Sequence, residues 1–353
     1  MLPSIMYSTY IKEIGRGARA SRDLGVTEAK QLFAAMLDGG VPELELGAII
    51  LALRMKTESV SELLGFYEAV RERVTQLTPP NKSLRPVILP AYNGSRRQAN
   101  LMPLLALLLA RLGITVLVQG SLESEGRVTS AAILRDLGVL PSANVPHLEE
   151  ALARDHIAFA PIGLLCPGLA ELLALRARLG VRNSAHTLAK LIDPFSTHSL
   201  VGGLRMLAVT HPAYADKLRS VFVEGGPQMG SALLMRGTEG EAVANARRRP
   251  QIDWLQGGVE GTPSTPTTLF EAEHGSVTAL PSLPDEADAR STAAWIRRAL
   301  DGEHAIPSPI LNQAACCLYA SGATEDLNQA KAMVAVHARV KRCEMPSPLP
   351  RAA

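Results

Sequence analysis

The stretch VILPAYNGSRRQANLMPLLALLLARLG, residues 87–113, decides the fold. An apolar, β-like run, VILPAY, meets a short polar loop, and the loop leads straight into a Leu- and Ala-rich helical run closed by Gly113. Strand, loop and helix in that order make the repeating unit of a parallel sheet covered by helices. The loop of such a unit gathers free backbone N–H groups at the positive end of the helix dipole, so an anion can sit there. Asn93, Gly94 and Ser95 let the backbone turn closely, and Arg96 and Arg97 add full positive charge. A surface turn with two solvated arginines is the plainer reading of the same letters.

Downstream, TVLVQG (115–120), HIAFAP (156–161) and SVFVEG (220–225) read as further strands. Helices are expected over Leu104–Leu112, Ala131–Leu137 and Leu169–Leu179, the last closing on Gly180, and ILNQAACCLYASG (310–322) reads as a buried helix. Residues 251–288, rich in Gly, Pro, Thr and acids, read as an irregular stretch carrying one strand pair. Upstream, residues 27–78 have helical spacing throughout: Gly39 and Gly40 stop one helix, Pro42 opens the next, and Ser59 with Glu62 forms a capping box. LTPPNKSLRP (77–86) then breaks the pattern, which divides the chain into a small helical domain, 1–80, and a large α/β domain, 81–353, with a mainly parallel sheet. The small domain is expected to gain helices from the middle of the chain.

Composition excludes several classes. With 353 residues, 47% hydrophobic and 20% charged, the chain is neither disordered nor fibrous. The longest apolar run, Leu101–Leu109, falls well short of the roughly 20 residues that span a bilayer, and the N-terminus lacks the order of a secretory signal, so the cytoplasm is the expected compartment. Four cysteines, Cys166, Cys316, Cys317 and Cys343, show no CxxC spacing and read as reduced, buried thiols. The eight histidines include no HxxxH or HxH pair, which leaves a histidine-based zinc site without support.

The net charge of +2 says little about distribution, so basic groups have to be sought locally. LLMRGTEGEAVANARRRP (233–250) sets Arg236 and the run Arg247, Arg248 and Arg249 around Glu239 and Glu241. The two glutamates are weak candidates for a metal pair and are expected to be exposed; three arginines in a row form a compact phosphate site, because guanidinium forks match phosphate oxygens. Lys12, Arg16, Arg19 and Arg22 form another cluster, which shares one face if helical.

Order and content resemble the anthranilate phosphoribosyltransferase family, also called glycosyltransferase family 3. The clearest stretch is FAPIGLLCPGLAELLALRARLGVRNSAHTLAKLIDP (159–194), similar to the family's FAP, HP, VRxxLGxRT and NxLGPLxNP segments; ILNQAACCLYASG resembles its closing helix. The resemblance implies a small helical domain, a large α/β domain, and a phosphoribosyl pyrophosphate site between them. It also marks departures. The GTGGD loop is replaced by Ala91–Ser95 with Arg96 and Arg97 following, and KHGN by Val118, Gln119, Gly120 and Ser121. The adjacent Asp and Glu that hold magnesium become Glu239, Gly240 and Glu241, and the HP histidine becomes Cys166, read as an inert core thiol. Arg176, matching the arginine that meets the aromatic acid, is retained as an acceptor-binding candidate. Lys190 in place of a proline, with Arg205 and Arg236, extends the positive surface in this reading.

Within that family the chain resembles the YbiB-type subgroup, which shares RNSAHTLAKL and GTEGE; this implies a homodimer that has given up phosphoribosyl transfer. Such a protein binds DNA or RNA with little sequence preference through a basic groove. On this reading Asn93, Gly94, Ser95, Arg96, Arg97, Lys190, Arg205, Arg236 and Arg247–Arg249 meet phosphates, with no catalytic residue, metal or cofactor. The groove's aromatic content is thin, since aromatics make up only 4% of the chain and Tyr92 alone lies beside it. The alternative is a phosphoribosyltransferase using magnesium and phosphoribosyl pyrophosphate on another acceptor, with Glu239 and Glu241 as metal ligands. A small-anion binder with neither activity is the third reading.

Overall fold

Residues 87–91 do form a strand, β1 (Val87–Ala91), and the side chains from Val87 to the following Tyr92 divide between two cores: Val87, Leu89 and Ala91 enter one, Ile88 and Tyr92 the other. In this computed structural model the described residues are 7–17, 20–196, 202–257, 265–273, 275, 282–284 and 286–338. Four helices precede β1: α1 (Tyr7–Ile14), α2 (Val26–Leu37), α3 (Glu43–Lys56) and α4 (Val60–Arg71). After it come α5 (Met102–Arg111), β2 (Val116–Gly120), α6 (Ser130–Asp136), α7 (Val145–Asp155), β3 (Ile157–Pro161), α8 (Ile162–Leu165), α9 (Pro167–Leu179) and α10 (Ala185–Leu188). The remainder is β4 (Leu204–Val209), α11 (Pro212–Gly225), β5 (Ser231–Arg236), β6 (Ile252–Gln256), β7 (Thr267–Phe270), α12 (Ala289–Leu300), α13 (Ser308–Ser321) and α14 (Leu327–His337).

The seven strands form one sheet in the order β3-β2-β1-β4-β5-β6-β7. The first five run parallel, and β6 and β7 add an antiparallel edge. One face packs against α5, α6, α12 and α13 through Leu105, Leu109, Ile133, Ile296 and Leu318. The other face packs against the helices of residues 7–71 and those of the middle of the chain, through Phe33, Phe66, Leu169, Leu188 and Phe222. Each such fully buried side chain stabilises by about 1.5–3 kcal/mol, so the second core ties the helical unit firmly to the sheet.

Local chemistry explains the helical unit. The Ser59 side chain accepts from the Glu62 amide while Glu62 accepts from the Ser59 amide, the expected capping box at the start of α4. Glu62 is fully buried and also accepts from the Leu24 amide and the Lys56 ammonium, which fastens α2 and α3 to α4. Gly65 lets α2 and α4 approach closely, because a Cβ there would lie 2.3 Å from the Val26 carbonyl oxygen.

One expectation is corrected. SVFVEG is not a strand but the end of α11, where Leu218, Val221 and Phe222 are buried at helical spacing. The strands on the far side of β1 are instead LRMLAV and SALLMR, β4 and β5. The expected strand pair in 251–288 is β6 with β7; part of that stretch lies outside the described residues. Cys166, Cys316 and Cys317 are buried and free, while Cys343 lies outside the described residues. Among the described residues no helix is long and apolar enough to cross a membrane.

Candidate anion-binding site

The loop that follows β1 sits at the carboxyl ends of the parallel strands, where open α/β sheets place their ligands. Gly94 has φ +64°, and a Cβ there would lie 2.9 Å from the Val128 carbonyl oxygen, so the turn requires glycine. Ser95 and Val128 exchange backbone hydrogen bonds of 2.9 and 2.8 Å, which pins the loop against the segment before α6. Arg127 from that segment donates to the Gly94 carbonyl at 3.0 Å.

The loop's amides face two carboxylates. Glu241 is fully buried, against expectation, and one of its oxygens accepts from the Asn93 and Gly94 amides at 2.8 and 2.9 Å. Its other oxygen accepts from Ser130 Oγ at 2.9 Å and Asn100 Nδ2 at 3.3 Å. Glu239 accepts from three consecutive amides, those of Arg96, Arg97 and Gln98, at 3.1, 2.8 and 3.1 Å, and lies 3.5 Å from Arg127. It is only partly exposed, and it sits at φ 51°, in the left-handed region. The expected exposed carboxylate pair is thus a pair of internal acceptors, because the loop's amides need partners and the glutamates supply them.

This arrangement does not fit magnesium and phosphoribosyl pyrophosphate. A metal needs free carboxylate oxygens, and a pyrophosphate needs free loop amides; each group here satisfies the other. No step through a metal–pyrophosphate complex follows from it.

The basic residues divide into two sets. Arg96, Arg97, Arg236, Arg247 and Arg248 are exposed. Asn245 brings the two runs together: its Nδ2 donates to Gln98 Oε1 at 3.0 Å, and its Oδ1 accepts from the Arg247 amide at 2.9 Å. Arg249 is partly buried and paired with Glu273. The second set is buried or half-buried. Arg205, expected on the positive surface, is fully buried: it donates to the Leu191 carbonyl at 2.7 Å and lies over the Phe222 ring at 5.2 Å. It belongs to the core, with Tyr67 and the Ser231 carbonyl nearby. Lys190 is turned inward onto the Ala208 carbonyl at 2.7 Å and the Gly240 carbonyl at 3.4 Å; burial, then Arg182, pulls it down to about 8.

Sequence reading missed Arg54, Arg127 and Arg182. They come from three distant segments, and no spacing rule links them. Arg182 is pushed down by burial and then by Arg176, Arg127 and Arg54, which marks a knot of like charges beside the loop. Burial, Arg182 and Arg176 push His186 down to about 3, so it is neutral. Tyr92 is buried, with its hydroxyl pushed well up by burial, so the one aromatic read beside the groove offers no stacking surface there. Cys166 is likewise buried, its thiol pushed up chiefly by burial, as an inert thiol would be. Of the N-terminal basic cluster, Lys12 alone lies in α1; Arg16 and Arg22 pair with Glu13, and Arg19 lies outside the described residues.

Sheet order, helical unit and loop position together define a protein with the anthranilate phosphoribosyltransferase fold. The anthranilate phosphoribosyltransferase of Thermus thermophilus superposes with a TM-score of 0.70 at 21% identity, over 93% of this chain and 94% of that one. The Saccharomyces cerevisiae enzyme in complex with PRPP and Mg superposes with a TM-score of 0.67 at 13% identity, over 94% and 93% of the two chains. Residues 8–74 match the helical bundle domain of the glycosyl transferase family. The uncharacterized protein YbiB of Escherichia coli strain K12 is 43% identical over 93% of this chain and 98% of its own length. An anthranilate phosphoribosyltransferase of Methanosphaerula palustris is 25% identical over 90% and 91%. The chain belongs to one family with YbiB, and its first helices form a glycosyl transferase family helical bundle domain.

Proposed function

We propose that the chain binds nucleic acids, DNA or RNA, with little sequence preference, through phosphate contacts made by Arg96, Arg97, Arg247, Arg248 and Arg236 and without phosphoribosyl transfer. The observation that carries this reading is the Asn245–Gln98 bond, which sets two exposed arginine runs side by side. Neither Arg96, Arg97, Arg247 nor Arg248 has an ion-pair partner among the described residues, so their charge is available to phosphates. Arg54, Arg127, Arg176 and Arg182 continue the positive field behind them. Backbone electrostatics dominate, because the one aromatic beside the loop is buried.

A homodimer and a cytoplasmic location complete the reading. Leu44, Leu51 and Met55 are 84%, 51% and 71% exposed and lie on one stripe of α3, an apolar face that a second copy can cover through a twofold axis.

The test is binding of fluorescent single- and double-stranded oligonucleotides across a salt series. Each lost phosphate contact lowers the magnitude of the log–log salt slope by about 0.7 for single strands and about 0.9 for duplex. Arg247→Ala with Arg248→Ala is expected to flatten the slope by roughly 1.4 for single strands and roughly 1.8 for duplex. Absence of binding at low salt in the wild type overturns the proposal.

A further inference from the structure

We infer that the amides of residues 96–98 form an oxyanion receptor that the protein fills from within by the Glu239 carboxylate, and that a phosphate group enters only when this carboxylate is withdrawn. Three consecutive amides converging on one acceptor, with a guanidinium beside them, are the donors a phosphate would use. Glu239 supplies two oxygens of a planar carboxylate where such a group would supply its own.

The receptor keeps its shape without Glu239. Ser95 is tied to Val128, Arg127 to the Gly94 carbonyl, and Glu241 independently holds the Asn93 and Gly94 amides. Ser95 Oγ, in the same loop, is fully buried and has no hydrogen-bond partner among the described residues. The occupant, by contrast, is held in a backbone conformation that L side chains rarely adopt, with φ 51° at Glu239 followed by φ 90° at Gly240. A side chain kept in such a conformation to cover three amides acts as a built-in competitor for the site. The inference stands apart from nucleic-acid binding, because a free ion tests it.

The experiment is titration of inorganic phosphate by calorimetry into full-length wild type, Glu239→Gly and Glu239→Asn. Both replacements tolerate the left-handed backbone; glycine has no side chain, and asparagine is one methylene short of the amides. Two variants guard against one failing to fold, which circular dichroism checks. The expected result is binding at least tenfold tighter in the folded variants than in wild type. Hydrogen exchange at the 96–98 amides should also quicken in the variants and slow again on addition of phosphate. Equal affinity in wild type and variants, or no binding to any folded variant, overturns the inference.

Discussion

Replacing Glu241 by alanine removes the acceptor that the loop's first two amides share. The Asn93 and Gly94 amides lie in buried residues, and both end on one Glu241 oxygen at 2.8 and 2.9 Å. Water does not reach them, so each costs about 1–3 kcal/mol when stranded. Ser130 and Asn100 lose the other oxygen but retain each other at 2.9 Å, so they add less. Removing a buried charge works the other way by sparing desolvation, but four donors already surround this one. The net expectation is a loss of about 4 kcal/mol for Glu241→Ala. Glu241→Gln keeps an acceptor for the amides but sets an amide nitrogen against Asn100 Nδ2, for about 2 kcal/mol. With a urea m-value of about 4 kcal/mol/M for a chain of this size, the midpoints fall by roughly 1 M and 0.5 M. Exchange at the Asn93 and Gly94 amides should quicken in the alanine variant. An alanine midpoint within about 0.2 M of wild type, with those amides still protected, refutes the reasoning.

Three further outcomes follow from the same geometry. Arg205→Ala opens a void beside Phe222 and strands the Leu191 carbonyl, for about 3–5 kcal/mol, whereas Arg205→Met fills the space without a buried charge and costs under about 2 kcal/mol, as urea midpoints will show. His186 is lowered to about 3 from 6.5, so between those values the unfolded chain binds a proton that the folded chain refuses; its contribution is complete above pH 6.5 and lost as pH falls toward 3. Replacing His186 by Gln should therefore flatten the acid limb of stability between about pH 6.5 and 4 by about 2 kcal/mol, allowing for its partial exposure. If the apolar stripe of α3 is the proposed dimer face, wild type is expected to sediment as a dimer and Leu51→Asp with Met55→Asp, which places charge on that stripe, as a monomer.

The strand–loop–helix unit at 87–113 was legible because a short apolar run of strand length stops at a polar turn and a Leu- and Ala-rich run of helical length follows. SVFVEG misled for the converse reason: three apolar residues in a row satisfy a buried strand as well as the inner face of α11, and only the packed partners of Val221 and Phe222 decide. Arg205 reads from sequence as one more cation, since its partners Tyr67, Leu191 and Phe222 come from three separate segments. The glutamates of GTEGE misled most, because their letters suggest an exposed turn. The positive φ at Glu239 and the reach of both carboxylates to a loop more than 140 residues away arise only from the fold.

The loop at 93–98 uses its two kinds of donor in opposite directions. Its amides turn inward to Glu239 and Glu241, while the side chains of Arg96 and Arg97 point to solvent. A small phosphorylated substrate held by amides and a polyanion held by guanidinium groups would therefore draw on different faces of the same residues. The inner face is taken, and the outer face is not. Separate substitutions should then separate the two properties. Glu239→Gly is expected to open the inner face to phosphate yet change oligonucleotide affinity by less than about threefold, toward tighter binding, since one negative charge leaves the neighbourhood. Arg96→Ala with Arg97→Ala is expected to flatten the single-strand salt slope by roughly 1.4 and to leave phosphate uptake by the Glu239→Gly background in place, because backbone amides survive side-chain removal. If the arginine pair proves necessary for phosphate uptake in that background, the receptor is built from guanidinium groups rather than amides, and the division of the loop into two faces is wrong.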